Sequence, residues 1–193
     1  MRARVDTEEL KRALDLLIGK PLRAAVVTRD DQSSLLLDLG RKIARGDKRP
    51  ETAESEGEAD EKGRVVRLFA RGEDSATSEL RRYRGEWALL VCCNWRAERG
   101  ESQILCGSQD SLDEEGAMLG GLQQIVGSTV TEVSLNSFLD LVLAFDGGKR
   151  LRLFCDESVH EDRDDSYRLY TPDRRMYGVI TGLIEVQQIP RQR

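Results

Sequence analysis

The sequence is poor in the residues that build common catalytic and metal sites. Its 193 residues include one histidine, His160, with four cysteines, four prolines and 5% aromatic residues. A single histidine excludes a metal site with several histidine ligands, and no C-x-x-C pair or phosphate-binding Gly-Lys-Ser/Thr motif occurs. No stretch approaches the roughly 18 consecutive apolar residues of a membrane-spanning helix. The sequence therefore predicts no cofactor, no metal, no catalytic residue and no membrane association, while it leaves enzymatic activity open.

The four cysteines lie within apolar stretches: Cys92, Cys93, Cys106 and Cys155. The sequence starts with polar residues rather than an apolar signal segment, so we expect a cytoplasmic protein with reduced, buried thiols. Cys92 and Cys93 are adjacent on a predicted strand and should face opposite ways. A thiolate pair of Cys155 with His160 is the alternative, although no third group orients it and His160 lies among charged residues.

The overall composition is typical of a folded globular protein. Hydrophobic residues make up 39% and charged residues 34%, and the formal net charge is −5. An acidic chain is a poor match for nucleic acid or for an anionic membrane. It is compatible with a basic protein partner.

Two predicted helices share one pattern. Asp6 with Glu9, and Ser111 with Glu114, have the spacing of a capping box, and each helix is predicted to stop at a glycine, Gly19 or Gly127. The apolar stripes keep a constant offset of 108 residues: Leu10, Ala13, Leu14 and Leu17 in the first helix, and Met118, Gly121, Leu122 and Ile125 in the second.

Four predicted strands follow each helix in the same order. The corresponding segments are 22–27 and 130–135, 35–39 and 141–145, 63–69 and 148–154, and 86–91 and 166–170. A further strand is predicted near 177–180. Recurrence of helix and strands in one order indicates an internal duplication. We therefore predict an α+β fold of two diverged repeats, 6–110 and 111–189, each a helix followed by an antiparallel β-meander. Because a unit of this size is marginally stable alone, their joining into one pseudo-symmetric domain stays open.

Several local features are also predicted from the sequence. Segments 146–148 (DGG) and 171–173 (TPD) are typical of turns. Leu141, Leu143 and Phe145 alternate with smaller residues, so one face of that strand should be buried. The glycines of the second helix should allow close helix–sheet packing, and Trp87 and Trp95 should fill the core or the joint between the repeats.

The first repeat carries an acidic insertion at about 41–62, and a second acidic stretch covers 156–165. Neither contains enough large apolar side chains to offset the entropy of ordering, so both are predicted to be solvated loops. The candidate partner-binding residues are the carboxylates of these loops: Glu54, Glu56, Glu58, Asp60, Glu61, Glu161, Asp162, Asp164 and Asp165.

Segments 140–149 (DLVLAFDGGK) and 167–173 (YRLYTPD) resemble a broad set of uncharacterised bacterial proteins. These proteins share a strand ending in Phe-x-x-Gly, a returning apolar strand and an aromatic-x-Leu strand followed by Pro-Asp. Some of them resemble immunity proteins encoded beside polymorphic toxins. The resemblance implies protein binding and brings no catalytic residues with it.

Three functions are consistent with these observations. The leading hypothesis is a non-enzymatic protein-binding module, in its most specific form an immunity-type antitoxin, whose acidic loops attract a basic partner. The first alternative is an enzyme or small-ligand carrier with a cleft between the two repeats, where arginines hold an anionic ligand. The second is a structural subunit that pairs with other chains through an exposed sheet edge.

Overall fold

A computed structural model shows an α+β protein with two antiparallel sheets and, among the residues it describes, two α-helices. The structure describes residues 2–29, 34–44, 64–69, 83–112, 116–155, 165–180 and 182–190. The helices are α1 (Thr7–Asp15) and α2 (Ala117–Ile125). Within these ranges, no helix is long and apolar enough to cross a bilayer. The predicted α+β class is confirmed.

Strands dominate the fold. The larger sheet has eight strands in the order β1-β13-β12-β11-β5-β3-β2-β4, and the smaller sheet has five in the order β7-β6-β10-β9-β8. The strands are β1 (Arg2–Arg4), β2 (Leu22–Arg29), β3 (Ser34–Ala44), β4 (Arg64–Phe69), β5 (Tyr83–Val91), β6 (Asn94–Arg99), β7 (Gln103–Gly107), β8 (Val130–Leu135), β9 (Leu141–Phe145), β10 (Lys149–Phe154), β11 (Tyr167–Tyr170), β12 (Arg175–Ile180) and β13 (Leu183–Gln188).

Each half of the chain contributes strands to both sheets. The larger sheet joins β2 to β5 of the first half with β11 to β13 of the second, and the smaller sheet joins β8 to β10 with β6 and β7. Buried side chains of both sheets and both helices form one contiguous core. Trp87 and Trp95, predicted to fill the core or the joint between repeats, are 5% and 3% exposed. Neither half encloses this core without strands from the other.

The predicted meander is wrong in the first half. The expected hairpin between the second and third strands does not form, because β4 pairs with β2 and leaves β3 beside β5. The chain then leaves the larger sheet after Val91 and enters the smaller one at Asn94. In the second half, Asp146-Gly147-Gly148 forms the predicted tight turn, with φ of 67° at Gly147 and 69° at Gly148. The predicted four-strand meander is wrong there too, because β10 pairs with β6, while β11 pairs with β5 and β12 in the larger sheet.

The two halves meet at an antiparallel contact between residues 19–22 and 127–130, here called the joint. Pro21 and Thr129 form its central bridge. Two amide–carbonyl hydrogen bonds on each side surround the bridge: Gly19 N to Val130 O (2.8 Å), Val130 N to Lys20 O (2.9 Å), Gly127 N to Leu22 O (2.7 Å) and Leu22 N to Ser128 O (2.8 Å). Each bond has a counterpart at the offset of 108 seen in the sequence. A duplicated unit would form such a contact around a two-fold axis, and the duplication itself stays a prediction.

The helix ends agree with the sequence in one repeat and differ in the other. Asp6 caps α1 as predicted, since its Oδ1 accepts a hydrogen bond from Glu9 N at 2.8 Å. The predicted start at Ser111 is wrong, because α2 begins at Ala117 and its N-cap, Gly116, makes no side-chain capping bond. Shortly after each helix a glycine turns the chain into the joint, with φ of 81° at Gly19 and 90° at Gly127.

A glycine allows α2 to lie directly on the smaller sheet. A Cβ added to Gly121 would come within 2.5 Å of Cys106 Cβ and Sγ, so any larger residue would push the helix away from β7. The same helix has space at Gly120, where no atom lies within 4 Å of an added Cβ. Close helix–sheet packing, predicted for these glycines, is confirmed at Gly121.

A buried carboxylate supports the joint. Glu86 of β5 accepts hydrogen bonds from Lys20 Nζ at 3.0 Å and Arg41 Nε at 3.1 Å. Burial opposes its charged form, but the bonds from Lys20 and Arg41 outweigh burial and lower the pKa of Glu86. Because Lys20 belongs to the joint, Glu86 ties the larger sheet to it.

We expect alanine to have opposite effects at two glycines. Gly19→Ala places a side chain at positive φ and should lower the free energy of unfolding by about 1 kcal/mol. Gly120→Ala is the matched control, because it adds a methyl group in open space on α2 and should raise stability by up to about 1 kcal/mol. Urea unfolding midpoints measure both, and equal effects of the two changes would contradict this account of the joint.

Glu86→Gln should lower stability in a pH-dependent way. The folded-state pKa of Glu86 lies below the ordinary glutamate value of 4.5, so the ion pairs stabilise the protein above that pH and are lost as the pH falls through the folded-state pKa. We expect a cost of about 1 kcal/mol at neutral pH, because Arg41 is largely exposed. The difference from wild type should vanish as the pH falls through the lowered pKa of Glu86.

Urea unfolding of wild type and Glu86→Gln, repeated from neutral to acidic pH, measures the difference in stability. Glu101→Gln, at an exposed carboxylate in the turn before β7, is the control and should change little at any pH. A Glu86→Gln difference that stays constant with pH would show that the ion pairs are not its cause.

Candidate functional site

A groove of about 540 Å³ lies between α1, β5 and the turn that joins β11 to β12. Its lining residues come from both halves of the chain: Glu9, Arg12, Ala13, Leu16 and Trp87 from the first, and Thr171, Pro172, Asp173, Arg175 and Tyr177 from the second. The pairing of β5 with β11 brings them together, with Ala88 opposite Tyr170. The groove is therefore lined by residues from both halves of the chain.

One face of α1 forms the first wall. Glu9, Arg12, Ala13 and Leu16 lie at positions i, i+3, i+4 and i+7, which fall on one side of a helix. Leu16 is 58% exposed, an unusual degree for a leucine beside a core stripe. Trp87, which is almost fully buried, contributes the apolar surface below it. The groove is thus apolar at its base.

The turn after β11 forms the opposite wall. Thr171 N donates to Arg175 O at 2.9 Å, and Arg174 takes a positive φ of 68° to close the turn. Thr171 Oγ1 also accepts from Arg175 N at 2.9 Å and contacts Asp173 Oδ1 closely. This turn was predicted from Pro172-Asp173. Its bonds hold Asp173 and Arg175 at the groove edge.

Arg175 links the two walls. Its Nε donates to Asp173 Oδ2 at 2.6 Å, its Nη1 lies 4.0 Å from Glu9 Oε1, and its guanidinium lies 5.7 Å from the centre of the Tyr177 ring. Tyr177 OH donates to the same Glu9 oxygen at 3.4 Å. These contacts connect α1 with β12 across the groove.

Three groove residues have shifted pKa values, and each shift moves the pKa further from neutral pH. Hydrogen bonds from Thr171 and Arg175 lower the pKa of Asp173, and the bond to Asp173 raises the pKa of Arg175. Burial raises the pKa of Tyr177. A general acid or base works best with a pKa near the working pH. These three groups are therefore suited to binding and positioning rather than to proton transfer.

Arg12 has the least compensated charge of the groove. Its Nε donates to Glu8 O at 3.2 Å, and among the described residues no carboxylate forms an ion pair with it. Its side chain is exposed on the α1 wall. The groove therefore combines apolar lining residues with an ion pair between Arg175 and Asp173. The remaining arginine, Arg12, is available to an anionic group.

The carboxylates predicted from the sequence fall almost entirely outside the described residues. These are Glu54, Glu56, Glu58, Asp60, Glu61, Glu161, Asp162 and Asp164, and His160 is outside them too. Asp165 is described, and its predicted exposure is wrong: it is 3% exposed and forms an ion pair with Arg168 Nε. An arginine three residues along the chain neutralises it, so the residue belongs to the protein interior.

The predicted burial of the cysteines holds fully for one of them. Cys106 is buried beneath α2, and burial, with Asp110 nearby, raises the pKa of its thiol to about 12. Cys92, Cys93 and Cys155 are only partly buried, and all four cysteines are in the reduced, thiol form. Among the described residues, no group of three or more His, Cys, Asp or Glu side chains is placed to hold a metal ion.

The groove residues were missing from the sequence-based candidates. Glu9 was assigned to helix capping, and Arg12 lies on what reads as a solvated face of α1. The sequence contained one signal for the groove. Leu16 extends the apolar stripe of α1 towards Arg12, and its large side chain lies outside the core.

Comparison with known proteins finds no matching family model, no matching curated protein and no matching solved structure. The groove and its chemistry are therefore the basis for assigning a function.

Proposed function

We propose that this protein binds, in the groove between α1 and the β11–β12 turn, a ligand with an apolar body and an anionic group. The observation that carries the proposal is that Arg12 lines the same groove as the exposed Leu16 and the buried Ala13 and Trp87. The apolar body lies over these side chains, and the anionic group faces the Arg12 guanidinium. This is the small-ligand alternative of the sequence analysis, in the form of a carrier or sensor.

Binding rather than catalysis is supported by the electrostatics of the groove. The pKa of Asp173 is lowered and those of Arg175 and Tyr177 are raised, so none of the three exchanges a proton readily near neutral pH. The Arg175 bridge to Asp173 and Glu9 instead holds the walls at a fixed spacing. A preformed groove reduces the entropy lost when a ligand binds.

The acidic-loop hypothesis stays a prediction. The carboxylates it needs lie outside the described residues, except Asp165, which is buried against Arg168 and is not available to a partner. The immunity-type antitoxin and the basic protein partner are therefore proposals from the sequence alone. The same holds for assembly through a sheet edge, for which the outer strands are β1 and β4 in one sheet and β7 and β8 in the other.

The groove should bind anilinonaphthalene sulfonate, an amphipathic anionic dye whose fluorescence rises in apolar surroundings. We expect Arg12→Ala to weaken its binding about fivefold, or about 1 kcal/mol, the usual contribution of an exposed ion pair. Added salt should weaken binding to wild type more than to the variant. Fluorescence titration at two ionic strengths measures both effects.

Two variants make this test specific. Arg99→Ala removes an exposed arginine from the smaller sheet and should leave dye binding unchanged. Asp173→Asn removes a negative charge from the groove edge and should strengthen binding by a similar factor. If Arg12→Ala and Arg99→Ala have the same effect, or Asp173→Asn has none, the dye binds elsewhere and the proposal fails.

A further inference from the structure

The pairing of β6 with β10 places two cysteines opposite each other. Trp95 pairs with Leu153 and Asn94 with Phe154, so the next position in the same register sets Cys93 against Cys155. Alternation along the strands puts both thiols on the face of the buried pairs Ala97–Leu151 and Trp95–Leu153. Directly opposed residues of an antiparallel pair have Cα atoms roughly 4.5–5.5 Å apart, within the range that a disulfide spans.

The two thiols lie close enough for each to shift the pKa of the other. Both residues are partly buried, which leaves them accessible to a small reagent. The contact separates their acidities: the bond from Cys93 lowers the pKa of Cys155, while the same contact and burial raise the pKa of Cys93. Cys155 is accordingly the better nucleophile of the two.

Hydrogen bonds outside the strand ladder fix both cysteines. Cys155 N donates to Asp140 Oδ1 at 2.7 Å, and Cys93 N donates to Ser166 O at 3.0 Å. Leu139 adopts a positive φ of 66°, and its carbonyl accepts from Cys155 Sγ and from the buried Tyr167 OH, each at 3.2 Å. The backbone at the two cysteines is thus held by hydrogen bonds to neighbouring segments.

From this geometry we propose that Cys93 and Cys155 form a redox site, which a small-molecule disulfide converts into an intramolecular disulfide. The bond would tie the crossover between β5 and β6, where the chain changes sheets, to the end of β10. It would also join the two halves of the chain covalently beside the acidic stretch that follows Cys155. This site is independent of the groove and of any ligand bound there.

The reaction proceeds in two balanced steps. The Cys155 thiolate attacks one sulfur of the small disulfide, which forms a mixed disulfide and releases one thiolate. The Cys93 thiol then gives up its proton and attacks Cys155 Sγ, which forms the Cys93–Cys155 bond and releases the second thiolate. The two protein thiols lose two electrons and two protons in all, and the small disulfide gains them as two thiols.

The test uses the full chain and glutathione disulfide. After incubation under native conditions, acid quenching and alkylation of the remaining thiols, peptide mass spectrometry should find Cys155 linked within the same chain, with Cys106 alkylated. Trypsin leaves Cys92 and Cys93 on one peptide, so the linked residue is identified in Cys92→Ser, which should keep the bond. Loss of the bond in Cys92→Ser, a link to Cys106, or links only between chains would overturn the proposal.

Single variants test the order of the steps. Cys93→Ser should stop at a stable mixed disulfide of Cys155 with glutathione, because the resolving thiol is gone. Cys155→Ser should react with glutathione disulfide several-fold more slowly at Cys93 than Cys93→Ser does at Cys155, because burial still raises the pKa of the Cys93 thiol when its contact with Cys155 is gone. Equal rates at Cys93 and Cys155 would contradict the assigned roles. If either variant fails to fold, the peptide map of Cys92→Ser still decides whether the site exists.

Discussion

The joint at residues 19–22 and 127–130 is the constraint on which the rest of the structure depends. Four backbone hydrogen bonds around the Pro21–Thr129 bridge fix where β2 and β8 begin, and these two strands belong to different sheets. These hydrogen bonds join backbone groups only, so they depend on the course of the main chain and not on particular side chains. Gly19 and Gly127 supply that path, because both turn at positive φ after their helices.

Once the joint is set, the exchange of strands between the halves places both candidate sites. The groove needs α1 and β5 from one half and the β11–β12 turn from the other, and the thiol pair needs Cys93 from one and Cys155 from the other. Glu98 of β6 shows the same dependence, since it is held by Arg96 of its own half and Arg152 of the other. Both sites lie at contacts between the halves and are absent from either half alone.

Local elements of this fold could be predicted from the sequence, and their partners could not. The Asp6 cap, the Asp146-Gly147-Gly148 turn and the alternation of Leu141, Leu143 and Phe145 depend on neighbouring residues, and each was found as predicted. Alternation fixes which face of a strand is buried but leaves open which strand lies beside it. Residue patterns therefore could not predict that β4 pairs with β2, or that the chain passes to the smaller sheet after Val91.

The candidate sites were harder to predict for the same reason. In the sequence, Asp165 resembles the other carboxylates of an acidic loop. Its ion-pair partner is Arg168, which lies three residues further along the chain. Arg12 and Asp173 are 161 positions apart and acquire a common role only through the pairing of β5 with β11. Cys93 and Cys155 were each predicted to be buried thiols, and the strand register is what makes them a pair.

The pairing of β1 with β13 also bears on how the chain folds. Arg2 lies opposite Gln187, so two strands that are 185 positions apart in the sequence must meet. Contacts of such long sequence separation slow folding, because loop-closure entropy is lost before the contact forms. During synthesis, β2 to β5 have neither β11 beside them nor the complete core above them. The nascent first half therefore exposes apolar strands until the second half emerges, and the ribosome-bound chain is the stage at which this protein most needs protection from aggregation.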